Sequence, residues 1–325
     1  MSQHPVVRPN QSVHFSDLDG LRGLLALAVV LLHVGFNSFT TRTLGWKGFQ
    51  FELSVDVFFL LSGFVLTYAA RKGVNLGTFA VRRFLRLAPV FYASTLILIA
   101  VTRESVSPLE LIMAVPFTGR DPVNFPAWSV CWELYLPVFA AMAWRAGLRI
   151  PDQAVRPLLI AALLALGYFD MGMAQGESNY PQRALFGLLA GHLLYRADIS
   201  LPVRLEWPFA ALVLVMGLAT YWPVMAVTLP FIAILCIAAG RNGGSLFASA
   251  PMQLLGTLSY TLYLAHIPVL RMVQAALGEG ADANPAAKVV VLIGSFALAW
   301  LLTIVIERPA MRISAQLVRA PVAAK

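Results

Sequence analysis

Apolar segments follow one another along almost the whole chain, from about Leu21 to Ile306, and no polar stretch between them is long enough to fold separately. A membrane-spanning helix needs roughly 17 to 25 predominantly apolar residues. Ten segments approach that length, and only 12% of the 325 residues are charged, about half the fraction in an ordinary soluble domain. These features predict an all-α fold, a polytopic membrane helix bundle of about ten transmembrane helices. The predicted spans are 21–37, 53–70, 84–101, 130–146, 157–173, 183–196, 206–221, 223–240, 254–277 and 288–306.

Basic residues are distributed unequally between the two sides of these spans. With the N-terminus inside, 17 of the 24 Lys and Arg residues fall on the inner side, 6 fall on the outer side, and Arg271 lies within a span. Because cytoplasmic loops carry an excess of Lys and Arg, this distribution predicts that both termini are cytoplasmic and that the number of spans is even. We expect a cytoplasmic N-terminal segment over 1–20, a membrane domain over 21–310 and a cytoplasmic tail over 311–325.

The net charge of +8 does not indicate nucleic-acid binding. The basic residues lie in short blocks between apolar segments, where membrane orientation is the commoner explanation. A metal site is not expected either, because no pair of His, Asp or Glu residues has ligand spacing within one predicted helix. The chemistry is therefore sought among ionisable side chains inside the apolar spans, where such groups are energetically costly and usually functional.

The first span carries an arginine and a histidine with ten residues between them, Arg22 and His33. Eleven steps of about 100° return to within roughly 20° of the starting direction and rise about 16 Å. Both side chains are therefore predicted on one helix face, with Arg22 at the inner boundary of the membrane and His33 in its outer half. The alternatives are that Arg22 only anchors the helix on the cytoplasmic side and that His33 is a packing residue.

Three further ionisable residues are predicted at the depth of His33, each in a different span: Asp56, Glu133 and His266. A carboxylate that accepts a hydrogen bond from one imidazole nitrogen fixes the tautomer and leaves the other nitrogen free as a base. We therefore predict that Asp56, or else Glu133, orients His33. The alternative is that each of these groups pairs structurally with a neighbour.

A basic cluster marks the start of the third span, where Arg82, Arg83 and Arg86 lie close together. Arg82 and Arg86 share a helix face. Guanidinium groups and the positive end of a helix dipole both favour anions, so the cluster is typical of a polyphosphate site. The alternative explanations are membrane orientation and contact with anionic lipid headgroups. Glu307, at the end of the last span on the same side, is a candidate partner for one of these arginines.

Six local patterns, taken together and in this order, resemble acyltransferase family 3, a family of integral membrane acyltransferases. They extend from the first predicted span to the last, and the set is more specific than any one pattern alone. The patterns are Leu18–Gly23 with the spacing to His33, Val55–Phe64, Arg82–Pro89, Trp128–Tyr135, Ser259–Pro268 and Glu307–Pro309. One departure is the sequence Trp-Ser-Val-Cys-Trp-Glu at 128–133, where the commoner form has a second small polar residue and often two acids.

The resemblance implies a ten-helix O-acyltransferase that moves an acyl group, usually acetyl, from cytoplasmic acyl-CoA to a hydroxyl of an extracytoplasmic carbohydrate. The acceptor class comprises surface polysaccharide, exopolysaccharide and lipopolysaccharide. We expect a multi-pass protein of the bacterial inner membrane, whose partners are the lipid bilayer, the carbohydrate acceptor and other proteins of envelope-glycan biosynthesis. The implied roles are catalysis for His33, Asp56, Glu133 and Arg22, donor binding for Arg82, Arg83 and Arg86, and substrate contact or a secondary role for His266, Ser62 and Tyr92.

Two other function classes stay open. A secondary transporter or exporter of an anionic or acylated metabolite would also place His, Asp and Glu side chains inside the membrane. The sequence shows no internal repeat, which weakens this hypothesis without excluding it. A structural subunit of an envelope-glycan assembly would not need a cluster of acid and base groups, so the predicted cluster argues against it.

Overall fold

The computed structural model describes residues 15–70, 75–107, 123–176, 179–278 and 284–319, together with Leu109 and Leu111. Helices and their connections make up these residues, and no strand occurs among them. Residues 1–14 and 320–325 of the predicted terminal segments lie outside the described part. The helices are α1 Ser16–His33, α2 Phe36–Leu44, α3 Ser54–Ala70, α4 Leu76–Thr102, α5 Trp128–Arg145, α6 Asp152–Ala174, α7 Tyr180–Ala197, α8 Glu206–Ala219, α9 Leu229–Gly240, α10 Ala250–Leu277, α11 Pro285–Leu302 and α12 Arg308–Arg319.

Each of the ten predicted segments falls on a helical stretch, so the all-α class is confirmed. Among the described residues, five helical stretches are long and apolar enough to cross a membrane, and α1 with α2, bent by 65° at their junction, forms a sixth if the two count as one span. The ten-span count and the cytoplasmic termini stay predictions. The five stretches are Phe51–Ala70, Leu76–Thr102, Asp152–Ala174, Pro223–Gly240 and Pro285–Gln316.

Helices with buried polar groups explain part of the difference between these counts. Arg183 in α7 and His266 in α10 are almost completely buried, so each lowers the hydropathy of its helix without facing lipid. Such groups inside a membrane bundle face the interior or a water-filled cavity. The interior of this bundle therefore contains the side chains in which chemistry is sought.

Glycines allow two pairs of helices to approach closely. A Cβ atom on Gly63 of α3 would lie 2.2 Å from the carbonyl oxygen of Leu188 in α7. A Cβ atom on Gly23 of α1 would lie 2.6 Å from the backbone nitrogen of Gly256 in α10, and one on Gly256 would lie 2.3 Å from the carbonyl oxygen of Asp19. Small residues at such crossings are typical of helix packing in membranes. The α1–α10 contact brings the helix that carries Arg22 and His33 against the helix that carries His266.

Adding one methyl group at this contact should destabilise the fold. We expect Gly256→Ala to lower the free energy of unfolding by about 1–3 kcal/mol, because the new Cβ atom would overlap backbone atoms of α1 that cannot rotate away. Gly77→Ala is the matched control, since its Cβ atom would meet nothing closer than 3.4 Å. The control should be neutral or slightly stabilised through helix propensity. Denaturant unfolding in detergent measures both variants, and equal responses would contradict the tight α1–α10 contact.

Candidate active site

Two histidines from the packed helices α1 and α10 are in direct contact. The Nδ1 atom of His33 lies 3.2 Å from the Nε2 atom of His266 and 2.9 Å from the carbonyl oxygen of Val29. The ring centroids are 4.9 Å apart. His266 is completely buried, whereas His33 is only half-buried. The structure therefore brings together two of the four ionisable groups that were predicted at one depth.

The position of His33 follows from where its helix ends. Gly35 has a left-handed backbone, with φ of 80°, and breaks the helix two residues after His33. The ammonium group of Lys288 then donates hydrogen bonds to the carbonyl oxygens of Val34 and Gly35, at 2.8 and 3.1 Å. A cation at this end satisfies carbonyl groups that have no partner within the helix. His33 therefore lies in the last turn of α1, and the hydrogen bonds from Lys288 hold the end of this helix in place.

Asp56 lies in a different cluster. Both of its carboxylate oxygens accept hydrogen bonds from Arg183, and the Nε–Oδ1 distance is 2.9 Å. Arg183 also lies 3.8 Å from Asp170, and all three side chains are buried. The predicted contact between Asp56 and His33 is therefore not formed, because the bidentate guanidinium occupies the carboxylate. Arg183, which was counted among the basic residues of the outer side, takes part in a buried ion pair.

Asp170 and Arg183 were not among the predicted site residues. One sequence signal pointed to Asp170, since it is the only residue within the apolar run 157–173 that carries a charge at neutral pH. Arg183 stands at the edge of its predicted span, where a basic residue is ordinarily a topology marker. Its pairing depends on the packing of α7 against α3 and could not be read from spacing.

Glu133 forms a third cluster. Its Oε1 atom accepts hydrogen bonds from the hydroxyl of Ser62, at 2.5 Å, and from Nη2 of Arg83, at 2.7 Å. Arg83 also donates through Nε and Nη2 to the backbone carbonyl of Glu133, at 3.0 and 2.9 Å. That carbonyl has no helical partner because Pro137, four residues on, lacks an N–H group. Glu133 is therefore held by an arginine of the predicted phosphate cluster, and not by His33.

A second proline has the same effect beside the histidine pair. Pro268 in α10 leaves the carbonyl oxygen of Leu264 without its helical donor. The side-chain amide of Asn124 donates to this oxygen at 3.0 Å. Asn124 is completely buried and precedes α5, so the contact fixes the entry to α5 against the helix turn that carries His266.

Two cavities meet at Arg22 and Arg86, which line both. The first, here called the Glu133 cavity, has a volume of about 110 Å³ and also contains Ser62, Arg83 and Tyr263 on its walls. The second, here called the Arg308 cavity, has a volume of about 420 Å³. Its walls carry four arginines and two carboxylates, an excess of positive charge. These charged residues are Arg22, Arg86, Arg308, Arg312, Asp19 and Glu307.

Ion pairs order the arginines that the cavities share. Arg22 lies 3.4 Å from Asp19, and Arg86 lies 3.1 Å from Glu307. The predicted pairing of Glu307 with one arginine of the cluster is thus observed. Glu307 ends a single π-helical turn, Thr303–Glu307, a local widening that is frequent at functional sites. The exposed Arg82 lines neither cavity, so its predicted contact with phosphate stays a prediction.

Tyr263 lies between the Glu133 cavity and the histidine pair. Its hydroxyl donates to the carbonyl oxygen of Pro126 at 2.6 Å and lies 3.0 Å from the hydroxyl of Ser129. Its ring centroid is 6.2 Å from that of His266. Tyr92, a predicted secondary residue, packs its ring against Phe91 in α4 and lines neither cavity. The described residues contain no group of three or more His, Cys, Asp or Glu side chains that could hold a metal ion.

Comparison with known proteins identifies relatives at low identity. The acyltransferase MdmB of Streptomyces mycarofaciens is 27% identical over 170 residues, which cover 44% of this chain and 42% of MdmB. The exopolysaccharide production protein ExoZ of Rhizobium meliloti (strain 1021) is 26% identical over 290 residues, covering 79% of this chain and 89% of ExoZ. The putative peptidoglycan O-acetyltransferase YrhL of Bacillus subtilis (strain 168) is 25% identical over 317 residues, covering 78% of this chain and 48% of YrhL.

The comparison with solved structures found no match. A family model described as "Acyltransferase domain" matches residues 15–304, which is most of the chain and includes α1 to α11. The matched region contains both histidines of the pair and every residue of the Glu133 cavity. The chain therefore belongs to this acyltransferase family, and the predicted resemblance is confirmed.

Proposed function

We propose that the chain is a membrane O-acyltransferase that transfers an acyl group from cytoplasmic acyl-CoA to a hydroxyl of an extracytoplasmic carbohydrate. Acetyl is the acyl group that we expect. The observation that carries this proposal is the pair of cavities that both have Arg22 and Arg86 on their walls. The Arg308 cavity carries excess positive charge, and His33, which lines neither cavity, lies about three turns beyond Arg22 on the same helix.

The Arg308 cavity suits the phosphates of acyl-CoA. Four arginines and two carboxylates give this cavity a net positive charge, which favours binding of a polyanion. A guanidinium group can donate two parallel hydrogen bonds to the oxygens of one phosphate. Arg22 and Arg86 are then the ligands at the junction, with Arg308 and Arg312 further out. The charge asymmetry of the sequence supports a cytoplasmic location for this side. The proposal further comprises ten spans, both termini inside and the bacterial inner membrane as location.

The histidine end suits transfer to a hydroxyl. Eleven residues of helix place His33 about 16 Å beyond Arg22, a distance that the extended pantetheine arm of the donor can cover. In the reaction, Nε2 of His33 takes the proton of the acceptor hydroxyl while the hydroxyl oxygen attacks the thioester carbonyl carbon. The tetrahedral intermediate then expels the CoA thiolate as the C–S bond breaks, and the proton held by Nε2 of His33 passes to the thiolate, which gives the thiol and restores the neutral base.

The names of the relatives support a carbohydrate acceptor. ExoZ is named for exopolysaccharide production and YrhL for peptidoglycan O-acetylation. Both names describe polymers that carry many hydroxyl groups outside the cytoplasmic membrane. An envelope polysaccharide is accordingly the acceptor class to test first.

Inverted membrane vesicles test the whole proposal. Acetyl-CoA labelled in its acetyl group is supplied at the exposed cytoplasmic face, and base-labile label is counted in polysaccharide enclosed in the vesicles. We expect label to accumulate only in vesicles that contain the chain. Equal label in vesicles without the chain would contradict the proposal, and movement of an intact solute without consumption of acetyl-CoA would support the transporter hypothesis instead.

Loss of one arginine at the junction should weaken donor binding. We expect Arg86→Ala to raise the KM for acetyl-CoA roughly tenfold or more, since a charge-assisted bond contributes about 1.5–3 kcal/mol. Arg156→Ala is the matched control, because Arg156 is an exposed arginine on the same predicted side and lines neither cavity. An unchanged KM in Arg86→Ala would assign Arg86 to its ion pair with Glu307 alone.

A further inference from the structure

The partner of the proposed base is a second histidine. Among the described residues, no carboxylate lies within hydrogen-bonding distance of the imidazole of His33 or of His266. The two carboxylates predicted to orient His33 are both engaged elsewhere, Asp56 by Arg183 and Glu133 by Arg83. The side-chain hydrogen-bond partner of Nδ1 of His33 is Nε2 of His266, at 3.2 Å.

The tautomer of His33 follows from the atoms around its Nδ1. The carbonyl oxygen of Val29, 2.9 Å away, can only accept a hydrogen bond, so this contact favours a hydrogen on Nδ1. The same Nδ1–H group faces Nε2 of His266, which then presents its lone pair. The Nε2 atom of His33 is left without hydrogen and is therefore the basic atom.

Burial separates the roles of the two rings. His266 is completely buried, and its Nδ1 atom has no hydrogen-bond partner in the described structure, so substrate does not reach it directly. Placing a net charge on a ring with so few polar neighbours is costly. The half-buried His33 is the ring that substrate can approach. The geometry suits His266 as a neutral acceptor, and not as a second base.

Several contacts fix the position of the imidazole ring of His33 relative to that of His266. The glycine contact of α1 with α10 sets the distance between the helix backbones. The bond from Asn124 to the carbonyl freed by Pro268 fixes the turn of α10 on which His266 stands. A positioning group that acts through one hydrogen bond needs such support, because small displacements weaken that bond steeply.

We propose that His266 is the positioning residue of the active site: its Nε2 atom accepts from Nδ1–H of His33 and so keeps the Nε2 lone pair of His33 available to the acceptor hydroxyl. A neutral imidazole thus takes the place of the carboxylate that the sequence predicted. This inference rests on the proposed function, in which His33 is the general base.

Two substitutions at one position test the inference. His266→Leu removes the acceptor while keeping a buried apolar side chain of similar size, and His266→Gln keeps an oxygen near the place of Nε2. We expect His266→Leu to lower kcat on the order of 100-fold with the KM for acetyl-CoA unchanged, and His266→Gln to restore most of that loss. A wild-type kcat in His266→Leu, or equal losses in both variants, would overturn the inference.

A spectroscopic measurement makes the test independent of activity. Nitrogen-15 NMR of the imidazole rings distinguishes the two tautomers, and the chain has only 5 histidines, so the signal of His33 is assigned by its loss in His33→Ala. We expect the Nδ1–H tautomer in the wild-type protein and a larger share of the Nε2–H tautomer in His266→Leu, where one of the two acceptors at Nδ1 is lost and the carbonyl oxygen of Val29 remains. A wild-type His33 protonated on Nε2 would overturn the inference even if His266→Leu did not fold. Absence of acyl transfer by the wild-type chain would instead contradict the proposed function and leave the tautomer result standing.

Discussion

His33→Ala is expected to lower kcat for acyl transfer on the order of 100- to 10,000-fold, the range that a positioned general base contributes. In energy this is about 3–5 kcal/mol of barrier, at 1.36 kcal/mol for each factor of ten. The physical reason is that the acceptor hydroxyl is a weak nucleophile until a base takes its proton. The KM for acetyl-CoA should stay near the wild-type value, because His33 does not line the Arg308 cavity and lies about three helical turns from Arg22. Transfer of labelled acetyl groups in inverted vesicles measures both constants.

His192→Ala is the matched control for this experiment. His192 is a half-buried histidine in α7, and its Nδ1 atom lies 2.9 Å from the hydroxyl of Thr67, so its removal also breaks one hydrogen bond inside the bundle. It lines neither cavity and contacts no residue of the histidine pair. We expect kcat within about threefold of wild type, the size of effect that one neutral hydrogen bond has. Comparable losses in the two variants would mean that His33 acts through stability and not through chemistry.

The positions of the helices could be predicted from the sequence to within a few residues at most ends. The segment predicted at 183–196 is the helix Tyr180–Ala197, because an apolar run and its helix share the same boundaries when the flanking residues are turn formers. The largest error is the start of α4, which begins at Leu76 after an Asn75 cap and not at residue 84. Arg82 and Arg83 are charged and therefore lie outside the predicted apolar segment, but both belong to the helix.

The choice of partners within the site could not be predicted, although the residues were. Spacing along one helix places Arg22 and His33 on a common face, but Asp56 on a neighbouring helix could bond to either His33 or Arg183. That choice depends on how α3 is rotated and on which helix packs against it, and both are tertiary properties. The four residues predicted at one depth accordingly divide among three clusters.

Two prolines in the sequence indicate backbone carbonyl groups of the site that need a donor outside their own helix. A proline inside a helix frees the carbonyl four residues earlier, and a buried free carbonyl must find another donor. Pro137 therefore pointed to the carbonyl of Glu133, and Pro268 pointed to that of Leu264. The sequence shows which carbonyls need donors, and the structure shows that Arg83 and Asn124 supply them.

Arg183→Ala is expected to destabilise the protein by about 3–5 kcal/mol, the usual cost of removing one partner of a buried ion pair. Arg183 is 1% exposed and is the only cation among the described residues that contacts Asp56 or Asp170. Its loss would leave two buried carboxyl groups without a counter-charge. Denaturant unfolding in detergent gives the change in free energy.

The two carboxylates should respond differently to the same substitution. Asp56 accepts from Arg183 through both oxygens, whereas Asp170 lies 3.8 Å from Nε of Arg183. We therefore expect Asp56→Asn to cost more stability than Asp170→Asn, because only the change at Asp56 interrupts the bidentate bond to Arg183. Equal costs would show that Arg183 is shared equally between the two carboxylates.

Asp152→Ala is the surface control for this series. Asp152 bonds Arg196, but its side chain is 99% exposed, and exposed ion pairs contribute about 0–1 kcal/mol. If Arg183→Ala were no more destabilising than this control, water would have to reach the Asp56 cluster, and the cluster would then be part of a solvent path through the bundle. A loss several times larger than in the control supports a dry ion pair that locks α7 to α3 and keeps Asp56 away from the chemistry at His33.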